Sequence, residues 1–308
     1  MKTLIIYFSQ TGNTRQIAER IHDGIARVTG QCDIRPLSDI DNKSLLDYDL
    51  VGLGSPVFYY KEPFHVRDFI ESLPELSDRH WFIFCTHGNV IGNFFSSVAD
   101  LLKKKKAIVI GYHNSYANIT VPYYPRPSYT SGHPDAYDLE QAEAFGREMA
   151  ERSPKITGPD SGLIPEPGPV SSEEWIQDSH RMTQKALKKV MPKFSLNIET
   201  CIRCHQCEDD CPVHGIDVES DPPVLQEPCI FCLRCVNICP TASIVADWTS
   251  LVAMAPANFA RYKKELDRVT ARGEFRWLVD PDRIDLSDPL YKQREREIRS
   301  RETKGSGD

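Results

Sequence analysis

No apolar run in the 308 residues comes near the ~18 needed to cross a bilayer; the longest, such as residues 4–8 and 81–85, stop at five. The N-terminus offers one Lys and the first of these runs, short of the about 7–15 apolar residues of a secretory signal, so the expected compartment is the cytoplasm. A basic surplus is also missing. Lys and Arg total 37 against 44 Asp and Glu, a net charge of −7. A nucleic-acid partner, which calls for a strongly basic face, is therefore not expected. The nine histidines show no metal-ligand spacing. What remains is an ordinary composition of 26% charged and 40% hydrophobic residues, long enough for two domains at roughly 150 residues each.

Residues 1–152 alternate short apolar runs with helical patterns. Strands are expected at 3–8, 50–54, 81–86 and 107–112, and helices at 13–28, 64–73, 94–104 and 137–152. Ile17, Ile21, Ile25 and Val28 recur at three- and four-residue spacing, the mark of one apolar helix face. Such alternation predicts an α/β fold, a doubly wound parallel sheet with helices on both faces. Residues 153–193 form the expected linker and connecting helix. Pro154, Gly158, Pro159, Gly162, Pro165, Pro167, Gly168 and Pro169 crowd together, which is linker composition. Ser171 to Glu174 reads as a capping box opening a helix that Pro192 stops. A cysteine module spans 194–246. The tail, 247–308, holds an Ala-rich helical pattern, Phe275 and Trp277, and a charge-mixed end whose last residues, 305–308, are expected to be disordered.

Cysteine is the abundant oddity. Eight of the ten lie within 39 residues, and Cys201, Cys204, Cys207 and Cys211 recur as Cys229, Cys232, Cys235 and Cys239 at a constant offset of 28. Pro212 and Pro240 follow the last Cys of each set. Cys32 and Cys85 stand apart and receive no role. In a reducing compartment, such density means metal rather than disulfides. Three thiolates spaced by two residues wrap one iron–sulfur cubane, and the fourth, followed by Pro, reaches the other cluster. One 4Fe–4S cluster is thus assigned to Cys201, Cys204, Cys207 and Cys239, and the second to Cys229, Cys232, Cys235 and Cys211. Paired Cys-x-x-Cys also reads as zinc; the third Cys of each run and the closing Cys-Pro weigh against it. This stretch of about 50 residues resembles a small α+β bacterial-type ferredoxin domain with two 4Fe–4S clusters. It departs from that family in the residues flanking Cys204, where small side chains are usual and Arg203 and His205 stand instead. Their charge reads either as raising the potential of the nearer cluster or as solvated surface. His205 and His214 are candidates for tuning cluster hydrogen bonds.

After the first strand, Ser9-Gln10-Thr11-Gly12-Asn13-Thr14 opens a helix. Hydroxyls and backbone N–H groups at a helix N-terminus suit an anion. No Lys is present and only Arg15 is near, so the loop suits a phosphate monoester and not a nucleoside triphosphate. Ser9, Gly12, Thr14, Ala18 and Ile21 fill the defined positions of the flavodoxin signature. The segment resembles that family, which implies a five-stranded sheet of order 2-1-3-4-5 with FMN at the switch point. The resemblance implies two more FMN loops, Ser55-Pro56-Val57-Phe58-Tyr59-Tyr60 and Thr86-His87-Gly88-Asn89. Phe58 or Tyr59 either covers a flavin face or packs in the core. Residues 55–60 lack the Gly that flavodoxins place beside flavin N5, which bears on how far a one-electron flavin is stabilised. Gly52-Leu53-Gly54 lacks a third glycine at Val57 and reads as a tight strand end under FMN, not a dinucleotide fingerprint.

Residues 113–135 are long for a bare loop and carry Tyr116, Tyr123, Tyr124 and Tyr129. Starting on the ligand side of the sheet, the loop either docks the ferredoxin domain, gates a partner, or packs on itself. Residues 103–106, four Lys in a row, read as a solvated helix end or a contact for an acidic redox partner.

Taken together, the order of motifs over 1–246 resembles flavodoxin–ferredoxin fusion proteins. The resemblance implies electron transfer between FMN and two 4Fe–4S clusters, relaying between two-electron and one-electron redox partner proteins in anaerobic metabolism. The alternatives are an FMN-dependent reductase with the clusters as wire, using His87 or a loop tyrosine as proton donor, and a dedicated reductive activator of a corrinoid or radical enzyme.

Overall fold

The computed structural model describes residues 1–159, 161–169 and 171–305, with side chains to residue 300. It divides into two compact units. The first combines Met1–Asn118 with Gly132–Met182; the second combines Ile119–Ser131 with the chain from Thr183 onward.

In the first unit β1 (Thr3–Tyr7), β2 (Asp33–Pro36), β3 (Leu50–Pro56), β4 (His80–His87) and β5 (Ile108–Tyr116) form one sheet of order β2-β1-β3-β4-β5. Every pairing is parallel, so helices α1 (Asn13–Thr29), α2 (Phe64–Ser72) and α3 (Phe94–Lys104) carry the chain back between strands, and α4 (Ala136–Arg152) follows the last one. The doubly wound expectation is met. Side chains alternate between faces along a strand: Leu4 and Ile6 join Val66, Ile70, Phe94 and Phe95 on one side, while Ile5 joins Ile17, Ile21, Ile25, Phe145 and Met149 on the other. Both faces are sealed, which is why these strands read as continuous apolar runs.

Three local readings change. β2 has no such run, because it is a half-exposed edge strand closing on Pro36, where a missing N–H is harmless. Gly52 and Gly54 lie within β3, opposite Phe82 and Phe84. A Cβ on either would sit 2.2 and 2.0 Å from those rings, so the Gly-x-Gly pair makes room for neighbouring phenylalanines and is not a strand end. The single helix expected from 171 to 192 is two, α5 (Glu173–Arg181) and α6 (Gln184–Val190). Met182 leaves helical geometry at ψ 63, and the Thr183 hydroxyl restarts the chain by accepting from the Ala186 N–H. The residue before α5 is Ser172, with no side-chain cap bond. The Ser171 hydroxyl instead accepts the Gly92 N–H at 2.9 Å.

The second unit is built from shorter pieces. β6 (Ser195–Leu196) pairs antiparallel with β9 (Ile244–Val245), and β7 (Ile216–Asp217) with β8 (Val224–Leu225). Single turns α7 (Gln206–Asp209) and α8 (Arg234–Ile238) lie within the cysteine repeat. The longer helices α9 (Thr249–Thr270) and α10 (Leu290–Gly305) follow. Gly305 is thus helical, and the rest of the expected disordered end, 306–308, lies outside the described residues.

Part of the long loop belongs to this unit. β5 continues to Tyr116, past the expected end at 112, and Ile119–Ser131 is counted with the later chain. Tyr124 and Tyr129 set their rings 5.1 and 4.8 Å from Phe259 of α9, and Tyr129 meets Trp277 at 5.5 Å. The Leu290 and Tyr291 N–H groups opening α10 donate to the Tyr124 and Pro122 carbonyls. Of the three readings of the loop, the aromatics favour its packing into the unit that holds the cysteines.

Candidate functional site

In a parallel sheet every strand ends on the same side, so Phe8–Asn13, Val57–Lys61 and Gly88–Gly92 emerge together beyond β1, β3 and β4. Gly12 makes the first turn at φ +95, a left-handed geometry that a side chain strains, and open space surrounds its Cα. The Ser9 hydroxyl accepts the Gly12 and Arg15 N–H groups at 3.2 and 3.3 Å, leaving its proton free to donate. Helix α1 has no side-chain cap bond and no acidic residue in its first turn, so its dipole faces outward uncompensated. Thr14 is buried and shares a 2.7 Å hydroxyl bond with Thr86, which ties the first loop to the end of β4. Thr11 is exposed, and Asn13 donates from Nδ2 to the Asn118 carbonyl at 3.3 Å.

The second loop lacks glycine but not the geometry glycine serves. Phe58 and Lys61 exchange backbone bonds of 2.9 and 3.1 Å around Tyr59 and Tyr60, at φ 52 and 67. This is the two-residue turn usually made by Asn-Gly, and each left-handed non-glycine residue costs roughly 1–2 kcal/mol. The turn is held from outside. The Tyr60 carbonyl accepts the Asn93 N–H at 2.9 Å, its ring lies 5.1 Å from Trp175, and the Val57 N–H donates to Thr86 O at 2.8 Å. The Phe58 ring meets Phe8 edge-on at 6.1 Å, a packing role. The Ser55 hydroxyl is buried and donates to Pro56 O.

In the third loop His87 and Asn89 are buried. His87 Nε2 bonds Asn114 Oδ1 at 3.1 Å and its ring lies 4.4 Å from Tyr116. Its Nδ1, and Asn89 Oδ1, make no hydrogen bond among the described residues. Burial lowers the His87 pKa to about 4, so the ring is neutral. Buried polar atoms without partners are uncommon. Here they stand beyond the same strand ends as the phosphate loop, which is the fit expected for a flavin's polar edge.

The cysteines sort themselves across the repeat. Cys207 feels the charges of Cys204 and Cys239, while Cys235 feels those of Cys232, Cys229 and Cys211. Cys201 precedes the first group, its N–H donating to Asn197 O. Cys211, Cys229, Cys232 and Cys235 line a hollow together with Phe194, Ile230 and Leu233. The thiols facing it are half-buried by area. Even so, burial pushes Cys232 up to about 12. Such thiols become thiolates only with a cationic centre to hold. Tetrahedral zinc, with Zn–S near 2.3 Å, would draw thiolates to within about 4 Å of one another. No three described thiols lie within 4.8 Å of one another. Backbone N–H groups already point at sulfur: Gly215 to Cys211, Phe231 to Cys229 and Ser243 to Cys239, each 3.2 Å. Cys239 is also buried, yet these bonds and the Thr241 hydroxyl outweigh the burial and lower its pKa.

Other expectations find different partners. Arg203 pairs with Glu219 at 2.7 Å, and His205 with Glu208 and Glu219, so the flanking charges are locally neutralised. In the lysine run, Lys105 donates to the Glu71 and Leu73 carbonyls and Lys106 pairs with Glu75, as a helix end does. Cys85 is fully buried core. Sequence reading missed Asn237 and Arg294. Asn237 donates to Thr120 O at 2.6 Å. Arg294 donates to Val236 O and, at 2.9 Å, to Cys239 O. Asn237 sits in α8 between two cysteines, where the repeat does not mark it, and Arg294 lies in no motif; only the folded chain brings Thr120 and Arg294 to α8.

Comparison with known proteins agrees with both halves. Residues 4–93 match the flavodoxin domain family, and residues 193–240 match the 4Fe-4S dicluster domain family. A probable flavodoxin 2 of Bacillus subtilis is 26% identical over 156 residues, 49% of this chain and 96% of its own. An uncharacterized protein of Methanocaldococcus jannaschii is 26% identical over 153 residues, 48% and 98% of the two chains. Among solved structures, a flavodoxin from the domain Archaea aligns at 21% identity and TM-score 0.41, covering 50% of this chain and 99% of its own. An oxidised flavodoxin 2 from Bacillus cereus aligns at 22% and 0.38, covering 49% and 99%.

Proposed function

We propose that this chain, which joins a flavodoxin domain to a 4Fe–4S dicluster domain and so carries FMN and two clusters, relays electrons between a two-electron and a one-electron redox partner protein. FMN exchanges two electrons and each cluster one, and the protein supplies binding, orientation and electrostatics. One observation carries the reading: all eight cysteines of the repeat fall within the segment that matches the 4Fe-4S dicluster domain family, and backbone N–H groups already point at the sulfurs of Cys211, Cys229 and Cys239.

In this reading Cys201, Cys204, Cys207 and Cys239 hold one cluster, and Cys229, Cys232, Cys235 and Cys211 the other. Residues 9–14 hold the FMN phosphate. Residues 55–59 and 86–89 border the flavin ring, where neutral His87 offers Nδ1 as a hydrogen-bond acceptor. Ten thiols without a disulfide suit a reducing compartment such as the cytoplasm. No described helix is long and apolar enough to cross a membrane.

A reductase acting on a small substrate would need a proton donor. Burial holds His87 neutral, and Tyr124 and Tyr129 are buried, which leaves Tyr116, 4.4 Å from the His87 ring, and Tyr123 as the loop tyrosines for that role. The test is anaerobic purification with iron, sulfide and flavin counts, followed by spectroelectrochemical titration. Two four-iron clusters and one FMN, exchanging electrons on stepwise reduction, are expected. Colourless or zinc-bearing protein, or a flavin that never equilibrates with the clusters, overturns the reading.

A further inference from the structure

The two thiol sets lie in different electrostatic surroundings. The set containing Cys211, Cys229, Cys232 and Cys235 faces a hollow walled by Phe194, Ile230 and Leu233. The cations near it are already paired: Arg234 with Asp210 at 2.8 Å and Lys188 with Glu227 at 3.7 Å. The other set includes exposed Cys204. On that side Arg203 and His205 are matched by Glu219 and Glu208. One cation differs. Arg294 of α10 gives both arms of its guanidinium to the carbonyls of Val236 and Cys239. No carboxylate pairs with it among the described residues. Its charge lies against the backbone of Cys239, and the Cys239 sulfur, followed by Glu297, favours its charged form.

A thiolate-bound cubane becomes more negative on reduction. A fixed positive charge nearby favours the reduced form, and a low-dielectric wall disfavours it. Arg keeps its charge at any working pH. We propose that Arg294 raises the potential of the cluster held by Cys239 above that of its neighbour, making it the resting place of a single electron, next to exposed Cys204. The inference rests on the cluster assignment of the proposed function. It shifts the source of the tuning charge from Arg203, in the motif, to a residue of the C-terminal helix that no motif marks.

The test is an EPR-monitored redox titration of the anaerobic holoprotein, with iron and sulfide counted on the same sample. Wild type should show two resolved cluster steps. Arg294→Gln should move the more positive step downward, by about a tenfold change in electron partition between the clusters, or about 59 mV for one electron. Arg294→Lys should restore most of it, and Arg203→Gln should move it little. The inference is overturned if Arg294→Gln, with full iron content, leaves both steps in place, moves the more negative one, or moves both together. Iron below two four-iron clusters in wild type would instead overturn the proposed function. If Arg294→Gln loses iron, Arg294→Lys decides alone: a fully loaded variant with the wild-type gap between steps supports the charge, and a collapsed gap overturns it.

Discussion

In the first unit Trp81, Phe82, Phe84, Phe94 and Phe95 are sealed on the two faces of a five-stranded sheet. In the second, no strand among the described residues exceeds two residues, and the cysteine loops around them turn through left-handed Arg203, His205, Phe231 and Leu233. The first has a large apolar core on both faces of its sheet. The second has an aromatic core around α9, but its cysteine module has few buried apolar side chains of its own and is expected to need a bridge between thiols of both repeats. One chain thus joins a part expected to fold without its cofactor to a part expected to fold with it.

The largest expected effect breaks the comparison most directly. Anaerobic chelation of iron should unfold the 194–246 module while the first unit keeps its sheet and its flavin. Limited proteolysis with flavin fluorescence checks this, and loss of flavin in step with iron would mean the units are not independent. Next, Phe82→Ala should cost the first unit about 3–5 kcal/mol, read from urea unfolding, with iron content unchanged. A third effect comes from pH. Burial holds His87 at about 4, against 6.5 when free. The unfolded chain therefore takes up a proton near pH 6.5 that the folded one refuses until about 4. Stability is full above 6.5 and falls as pH drops toward 4, by about 3 kcal/mol for this ring. Burial holds His65 and His113 at about 4 as well, so urea midpoints at successive pH values should show the combined slope, and His87→Asn should remove about a third of it.

Two smaller effects sharpen the account of the phosphate loop. Gly12→Ala forces a side chain to φ +95, costing about 1–2 kcal/mol and weakening FMN retention in dialysis. Thr86→Val removes the 2.7 Å bond to Thr14, worth about 1 kcal/mol. Its flavin affinity should fall less than that of Gly12→Ala, and an equal or larger fall would make Thr86 a direct ligand.

The sheet was legible because its strands are buried on both faces and read as plain apolar runs. The dicluster module was legible because its cysteines repeat at a constant offset, a pattern that survives in one dimension. What stayed hidden has a common cause. β2 is an edge with too little burial to leave a pattern. The Tyr59-Tyr60 turn adopts glycine's geometry without glycine, because Asn93 and Trp175 hold it from outside. Arg294 reaches Cys239 across 55 positions of sequence. Each depends on a distant partner that local reading cannot supply.

The membership of Ile119–Ser131 in the second unit has a consequence for biosynthesis. The ribosome delivers Tyr124 and Tyr129 long before Phe259 and Trp277, the rings they rest on. The nascent chain must therefore carry an apolar segment without its mate until α9 has been made. A gene fragment that begins at Thr183 keeps α9 but leaves behind the Tyr124 and Tyr129 rings that cover Phe259.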